Sequence, residues 1–429
     1  MYFSVRRKLI CDNRGWMRFW TIGLVLLTCL HARDDERLAL SLKAQSDFER
    51  VILTVSPALS DTATCAQSQA AMLAIATPEE QAVLHYRKGY CLLAGASITR
   101  SHSDYAAAAA EFEGAIAAWP LRVRKPAKNA LPEPVASGIQ VLAALSHLFA
   151  ENEAAAQPGL AAAVHDANCT ASIMTVDACR QWVEVGREWL GRWALTANKL
   201  DEAAIDFANA RDTGWLDWAQ GKQAFRSGNY AQAAGRYSSA IDWWKTLWAD
   251  PGPGFVRRMG PRPEISAALV DLGGAQMLAG NLRQSESTLD AALKADPASA
   301  RAFYLRARTR EMAGHLSDAL ADYNLAARSA FAASEDLASG EAHLYRGILL
   351  FRRKDYGHAE DEFASALNFS IAESLRPDAE AWRHLAAVAS GSCATARQNL
   401  ERSLTSVGPY FPKAEARSIA SACPAASAN

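Results

Sequence analysis

Few residues in this chain have the types and spacing that chemistry needs. His165-Asp166 and His102-x-Asp104 each set a histidine beside a carboxylate. A working relay also needs a nucleophile that the histidine can deprotonate and a group that fixes the ring. Both pairs fall in expected loops or helix ends, where such a pair by itself carries no catalytic role. The signatures HExxH, GxSxG, GxGxxG and the Walker loop are absent. The cysteines lack the CxxC spacing of zinc and redox sites. No catalytic residue, metal ligand or cofactor is therefore expected.

Aromatic and cationic side chains carry more information. Eight of the twelve tryptophans fall in residues 182–248: Trp182, Trp189, Trp193, Trp215, Trp218, Trp243, Trp244 and Trp248. Most are expected to fill core, because each buries a large area. Trp215, Trp218, Lys222 and Phe225 differ, since their spacing of i, i+3, i+7, i+10 makes one helix stripe. Tyr304, Arg308 and Glu311 make a second stripe, and Leu344, Ile348 and Phe351, with Arg352 adjacent, a third. Aromatic and arginine side chains dominate binding energy once a partner desolvates them. A core would not call for Lys222, Arg308 and Arg352 beside them, because buried unpaired charge is costly. These stripes are the candidate binding residues, and a protein segment with some acidic residues is the expected partner.

The elements that position the stripes repeat. Gly280-Asn281-Leu282 and Gly314-His315-Leu316 stand 34 residues apart, and Lys354-Asp355-Tyr356 follows 40 further on. After Gly314 come Ala319, Tyr323 and Ala326; after Lys354 come Ala359, Phe363 and Ala366. After Gly280 come Ser285, Leu289 and Ala292, then Asp296-Pro297 as a stop. Small, large, small at i, i+4, i+7 puts all three on one helix face. Two helices approach closely only where small residues sit, and a large side chain must fill the gap beside them. One such pair cannot bury its face alone, so copies stack.

Residues 266–373 therefore resemble the tetratricopeptide repeat family, with matches at Leu269, Leu272, Gly273, Ala292 and Pro297. Arg306 and Arg346 stand where that family more often has leucine, and Gln276 where it has an aromatic residue. The resemblance implies an all-α solenoid of helix-turn-helix pairs, with irregular helical caps, whose first helices line a concave groove. The family's carboxylate clamp for chaperone tails needs asparagines that this sequence lacks, so that function is not carried over.

The remaining boundaries follow from punctuation. Residues 1–32 read as a signal peptide and 33–78 as capping helices. Residues 79–120 read as a diverged repeat, with Gly89 at the helix crossing, then Tyr105, Ala108, Phe112 and Ala115. The polar stretch 96–103 within it reads as a surface loop. Residues 121–180 hold a proline-rich linker and irregular helices, and 181–250 two repeats. A Pro/Gly-rich loop at 251–265 breaks the array before the three repeats of 266–373. A degenerate repeat and a C-terminal cap at 374–429 close the chain.

Composition bounds the partner and the compartment. Net charge is −1 with no long single-sign run, which argues against nucleic acid. Arg6, Arg7, Lys8, Arg14 and Arg18 precede an apolar run from Phe19 to Leu30, which is short for a membrane span and suits an export signal. Membrane contact is expected only through a possible N-terminal anchor. Six cysteines follow, and proximity pairs Cys65 with Cys91, Cys169 with Cys179 and Cys393 with Cys423. The expected function is a non-catalytic binding scaffold in the periplasm or cell envelope. Two rivals stand beside it: an enzyme or obligate subunit with a site in loops 96–103, 121–134 or 251–263, and a cytosolic adaptor.

Overall fold

A residue with no side chain stands where the two helices of most pairs cross. A Cβ built on Gly191, Gly221, Gly273 or Gly347 would lie 2.6 Å from Phe207, Tyr237, Leu289 or Phe363 respectively. Each of those large residues is buried on the helix opposite. Glycine costs helix propensity, and close packing of the two axes offsets that cost.

The computed structural model of the chain describes residues 19–422, except 55, 123–134, 166, 171–172, 211, 248, 250–254, 330–335 and 370. Within its helices, the side chains of 19–33, 120–122, 257–258, 336–338 and 393–394 are also outside the described part. The described residues are helical without a strand. In chain order the helices begin with α1 (Phe19–Ile52), α2 (Leu59–Leu73), α3 (Pro78–Thr99), α4 (His102–Arg122), α5 (Ser137–Phe149), α6 (Glu153–His165), α7 (Val176–Thr196) and α8 (Leu200–Ala208). Next come α9 (Thr213–Arg226), α10 (Tyr230–Leu247), α11 (Phe255–Arg258), α12 (Ile265–Leu278), α13 (Leu282–Ala295), α14 (Ala300–Met312) and α15 (Leu316–Arg328). The last are α16 (Asp336–Arg352), α17 (Tyr356–Asn368), α18 (Arg376–Ala389), α19 (Cys393–Ser403) and α20 (Lys413–Ser421).

They form two compact units. The first holds residues 1–212 and 248–262, the second 213–247 and 263–429. The two repeats expected together at 181–250 thus fall in different units. In the second unit α9/α10, α12/α13, α14/α15, α16/α17 and α18/α19 are consecutive antiparallel pairs, each stacked on the next. The turn inside each pair needs one left-handed residue. Gly228, Gly280, Gly314 and Gly391 supply it at φ 76–102°, and Lys354 takes it at φ 65°. Only glycine adopts that conformation without steric cost.

Charge joins the two helices of a pair where the family has leucine. Arg306 on α14 makes two bonds of 2.7 and 2.8 Å to Asp322 on α15. Asp322 is 2% exposed and accepts a third bond from Arg310. Arg346 on α16 repeats the arrangement with Glu362 on α17 at 2.8 Å, and His343 shares that carboxylate. In the first unit Lys88 and His85 of α3 share Glu111 of α4, each at 2.7 Å. One shared position on the first helix (Lys88, Arg306, Arg346) meets one shared position on the second (Glu111, Asp322, Glu362), so the substitution has a partner built into the repeat.

Three expectations change. The insertion at 96–103 is not a surface loop: α3 runs on to Thr99 and α4 starts at His102, with Arg100 left-handed between them. The added residues lengthen both helices beyond their crossing, and Ala96 is buried. No helix boundary falls between the expected signal peptide at 1–32 and the expected capping helices at 33–78, because α1 is continuous from Phe19 to Ile52. Among the described residues no helix is long and apolar enough to cross a membrane. The Pro/Gly-rich loop does more than interrupt the array, because Phe255 and Met259 from it are buried in the first unit.

Cysteine placement agrees with proximity for two pairs. The sulfurs of Cys65 and Cys91, and those of Cys169 and Cys179, lie at bonding distance. The Cys393–Cys423 pair lies outside the described side chains, as do residues 1–18 of the expected signal and residues 123–134 of the linker.

The helix crossing gives a paired test. Gly273→Ala drives a methyl into Leu289 and should cost about 1–3 kcal/mol of stability. Gly235→Ala, on α10 with nothing within 4 Å, should gain up to about 1 kcal/mol from helix propensity. Urea midpoints of the two variants check both signs.

Candidate functional site

Successive first helices of the second unit touch one another directly, α12 with α14, α14 with α16 and α16 with α18. Successive second helices do so far less, so the first helices line the inner side of the stack. Asp271 on α12 organises one end of that face. Its carboxylate accepts the Trp218 indole N–H at 2.9 Å and the Lys222 ammonium at 2.8 Å, both from α9. Lys222 also sits 4.9 Å above the Trp218 ring. Arg301 of α14 approaches from the other side at 3.7 Å. These groups, with Glu264 and Asp296, line a cleft of about 230 Å³.

The face continues along α14 and α16. The Arg308 guanidinium lies 3.9 Å from the centre of the Tyr345 ring. It donates to Glu311 at 2.8 Å, and the Tyr323 hydroxyl donates to the same oxygen at 2.7 Å. Arg352 reaches the other oxygen of Glu311 at 3.6 Å. Tyr304, Tyr323 and Tyr345 form an aromatic cluster with centroids 6.0–6.4 Å apart. Burial pushes the phenols of Tyr304 and Tyr323 above their ordinary range, so both stay neutral. Burial also raises the Glu341 carboxyl, against opposing effects of the Tyr304 hydroxyl and of Arg301 and Arg308. The groups on this face are aromatic rings, partly buried carboxylates, and guanidinium groups at both ends.

The expected binding residues divide between this face and the core. Trp215, Leu344, Trp218 and Phe351 are 0–5% exposed, which corrects their placement on an open groove. Trp215 packs 5.0 Å from Trp244 and 5.6 Å from Trp218, and Phe351 packs 5.2 Å from Trp382. Indole and phenyl rings beside a helix contact gain most by entering it. Phe225 and Ile348 are half-buried, Phe225 against Tyr230 across the turn. Tyr304 stays on the face, half-buried. Lys222, Arg308 and Arg352 also stay there; Lys222 and Arg308 are hydrogen-bonded to carboxylates of this chain, which corrects the expectation that they await a partner's, while Arg352 keeps only a longer ion pair with Glu311.

Sequence reasoning missed Asp271, Arg301, Glu341 and Tyr345. Asp271 was detectable as the one acid inside the apolar helix Ile265–Leu278. Of the histidine pairs, His102 lies 3.5 Å from Glu151 while Asp104 faces Thr99, so they do not act together. Asp166 is outside the described residues. Among the described residues no group of three or more His, Cys, Asp or Glu is placed to hold a metal.

Two variants test this arrangement. Trp218→Ala should lower stability by about 3–5 kcal/mol, as a core truncation does, instead of leaving melting unchanged. Glu341→Gln should raise the melting temperature at pH 7. The folded carboxyl titrates above its ordinary value of 4.5. Its contribution is therefore most favourable at low pH and is lost as pH rises through the folded value. The gain in the glutamine variant should vanish below pH 4.5.

No protein-family model and no curated protein matches the chain. In structure it is similar to a tetratricopeptide repeat protein from Parabacteroides merdae ATCC 43184, with TM-score 0.39, 14% identity, and 66% of this chain and 98% of that one covered. Yeast Tom70 gives TM-score 0.37 at 13% identity over 91% and 96% of the two chains. A human IFIT1 dimer with PPP-AAAA gives 0.33 at 15% identity over 93% of each. On its own 34-residue period, its left-handed turns and its crossings of glycine against a large side chain, the chain has the tetratricopeptide-repeat fold.

Proposed function

We propose that this protein is a non-catalytic interaction scaffold that works outside the cytoplasm and holds an extended protein segment along the inner face of its second unit. One observation carries the reading. Arg301 and Arg352, with side chains 62% and 64% exposed, stand at opposite ends of the Tyr304–Tyr345 cluster. Their own carboxylates hold them only at 3.7 and 3.6 Å, beyond hydrogen-bond distance. A partner carboxylate can therefore engage either one without breaking a bond. Lys222 and Arg308 are held closer and keep the tyrosines and Asp271 in place. The occupant is a segment with acidic residues near its two ends and apolar surface between them. The basic-then-apolar start and the two cysteine pairs at bonding distance support an exported location.

The test reverses charge at two exposed arginines, where the fold loses no hydrogen bond and two long ion pairs worth about 0–1 kcal/mol each. Full-length protein carrying Arg301→Glu and Arg352→Glu should keep native helicity and melting. It should lose partners that the native chain captures from envelope extract, by about 1–3 kcal/mol per site. Equal capture by both proteins, scored by mass spectrometry, would refute the assignment to this face. Sequencing the mature amino terminus tests the location separately: a chain beginning near residue 33 is expected, and one that retains residues 1–16 opposes export.

A further inference from the structure

Between α10 and α12 the chain leaves the second unit and returns to it, and residues 248–262 belong to the first. Of these, Phe255–Arg258 make the single turn α11. Phe255 and Met259, one helical turn apart, are 8% and 2% exposed. The Phe255 ring meets Tyr90 of α3 at 5.5 Å and Trp182 of α7 at 6.0 Å, both edge-on. Trp189 of α7 donates its indole N–H to the Met259 carbonyl at 2.8 Å. Gly260 and Pro261 behind them are buried.

One turn of helix does not hold itself together in water. Pro261 and Pro263 follow this one, so the residues after it cannot extend it. Its shape is imposed by the surface beneath it. Two apolar anchors at i and i+4, with one main-chain bond, are the means by which a short helical peptide docks in a groove. Residues 255–259 also have no second helix to pair with, unlike the repeats around them.

We infer that the Tyr90–Trp182–Trp189 surface of the first unit is a docking site for a short helical segment with large apolar residues one turn apart. In this chain residues 255–259 occupy it as an internal ligand. The site uses no residue of the second unit's inner face, so the two readings stand or fall separately.

Amide exchange on the full native chain tests whether the segment is held as a ligand or fixed as core. The amides of residues 256–259 should exchange at least tenfold faster than the buried amides of α3 and α7, because a docked turn opens without its seat. Equal exchange makes the segment part of the core and overturns the inference. The second measurement uses full-length Phe255→Ala/Met259→Ala and a labelled synthetic peptide of residues 250–263. The peptide should bind this variant at least tenfold tighter than the native chain, and a scrambled peptide should not bind. A variant with native helicity that ignores the peptide also overturns it. If the variant loses its helicity, the exchange result on the native chain decides alone.

Discussion

A large side chain lying against a residue that has no side chain is the contact on which each pair depends. At Gly221, Gly273 and Gly347 the missing Cβ leaves room for Tyr237, Leu289 and Phe363, and in the pair between them Ala307 and Tyr323 are buried in one core cluster. The axes come close because of it, and every other contact in the pair is set by that spacing. A helix of 13 or 14 residues is marginal by itself, so the crossing and the stacking of the next pair supply most of its stability.

Close axes also explain the charged positions. Leucine beside the crossing would bury its side chain between the helices. Arg306 and Arg346 instead reach past the crossing to an acid on the second helix, where the guanidinium keeps partial contact with water. Asp322, almost fully buried, is tolerable only because two arginines satisfy it. A buried ion pair of this kind adds little net stability against a hydrophobic pair, but it fixes which helix face meets which. The reverse arrangement, Asp217 on α9 with Arg236 on α10, keeps the pairing and exchanges the signs.

The inner face of the second unit is assembled from different pairs. Asp271 belongs to one pair, and its donors Trp218 and Lys222 belong to the one before. Arg308 and Glu311 share a helix, while Tyr345 and Arg352 come from the next. The face therefore exists only while the pairs stack. Its tyrosines are neutral, and its two outermost arginines are exposed and held by long ion pairs alone. Apolar area between exposed charges is the arrangement that the proposed recognition of a protein segment uses.

Most helices, the period and the turns could be read from neighbours in the chain. Gly280, Gly314 and Lys354 mark left-handed turns, and the residues 5, 9 and 12 along mark the buried face. The sequence also set Lys222 and Arg308 in aromatic stripes and Arg352 next to one. Arg308 meets Glu311 of its own stripe, three residues on, but what Lys222 and Arg352 meet depends on how the pairs stack, since Asp271 and Glu311 lie 49 and 41 positions away from them and no local pattern selects them. Only the tertiary structure decided that Trp215, Trp218 and Phe351 turn inward, because a helix stripe has two edges and burial against the neighbouring pair chooses between them. The lengthening of α3 and α4 was hidden for a similar reason: polar residues at 96–103 look like loop until an added turn finds a neighbour to cover Ala96. The docking of Phe255 was hidden most completely. Its seat is formed by Tyr90 and Trp182, far away in sequence, and a single helical turn between prolines has no signal of its own.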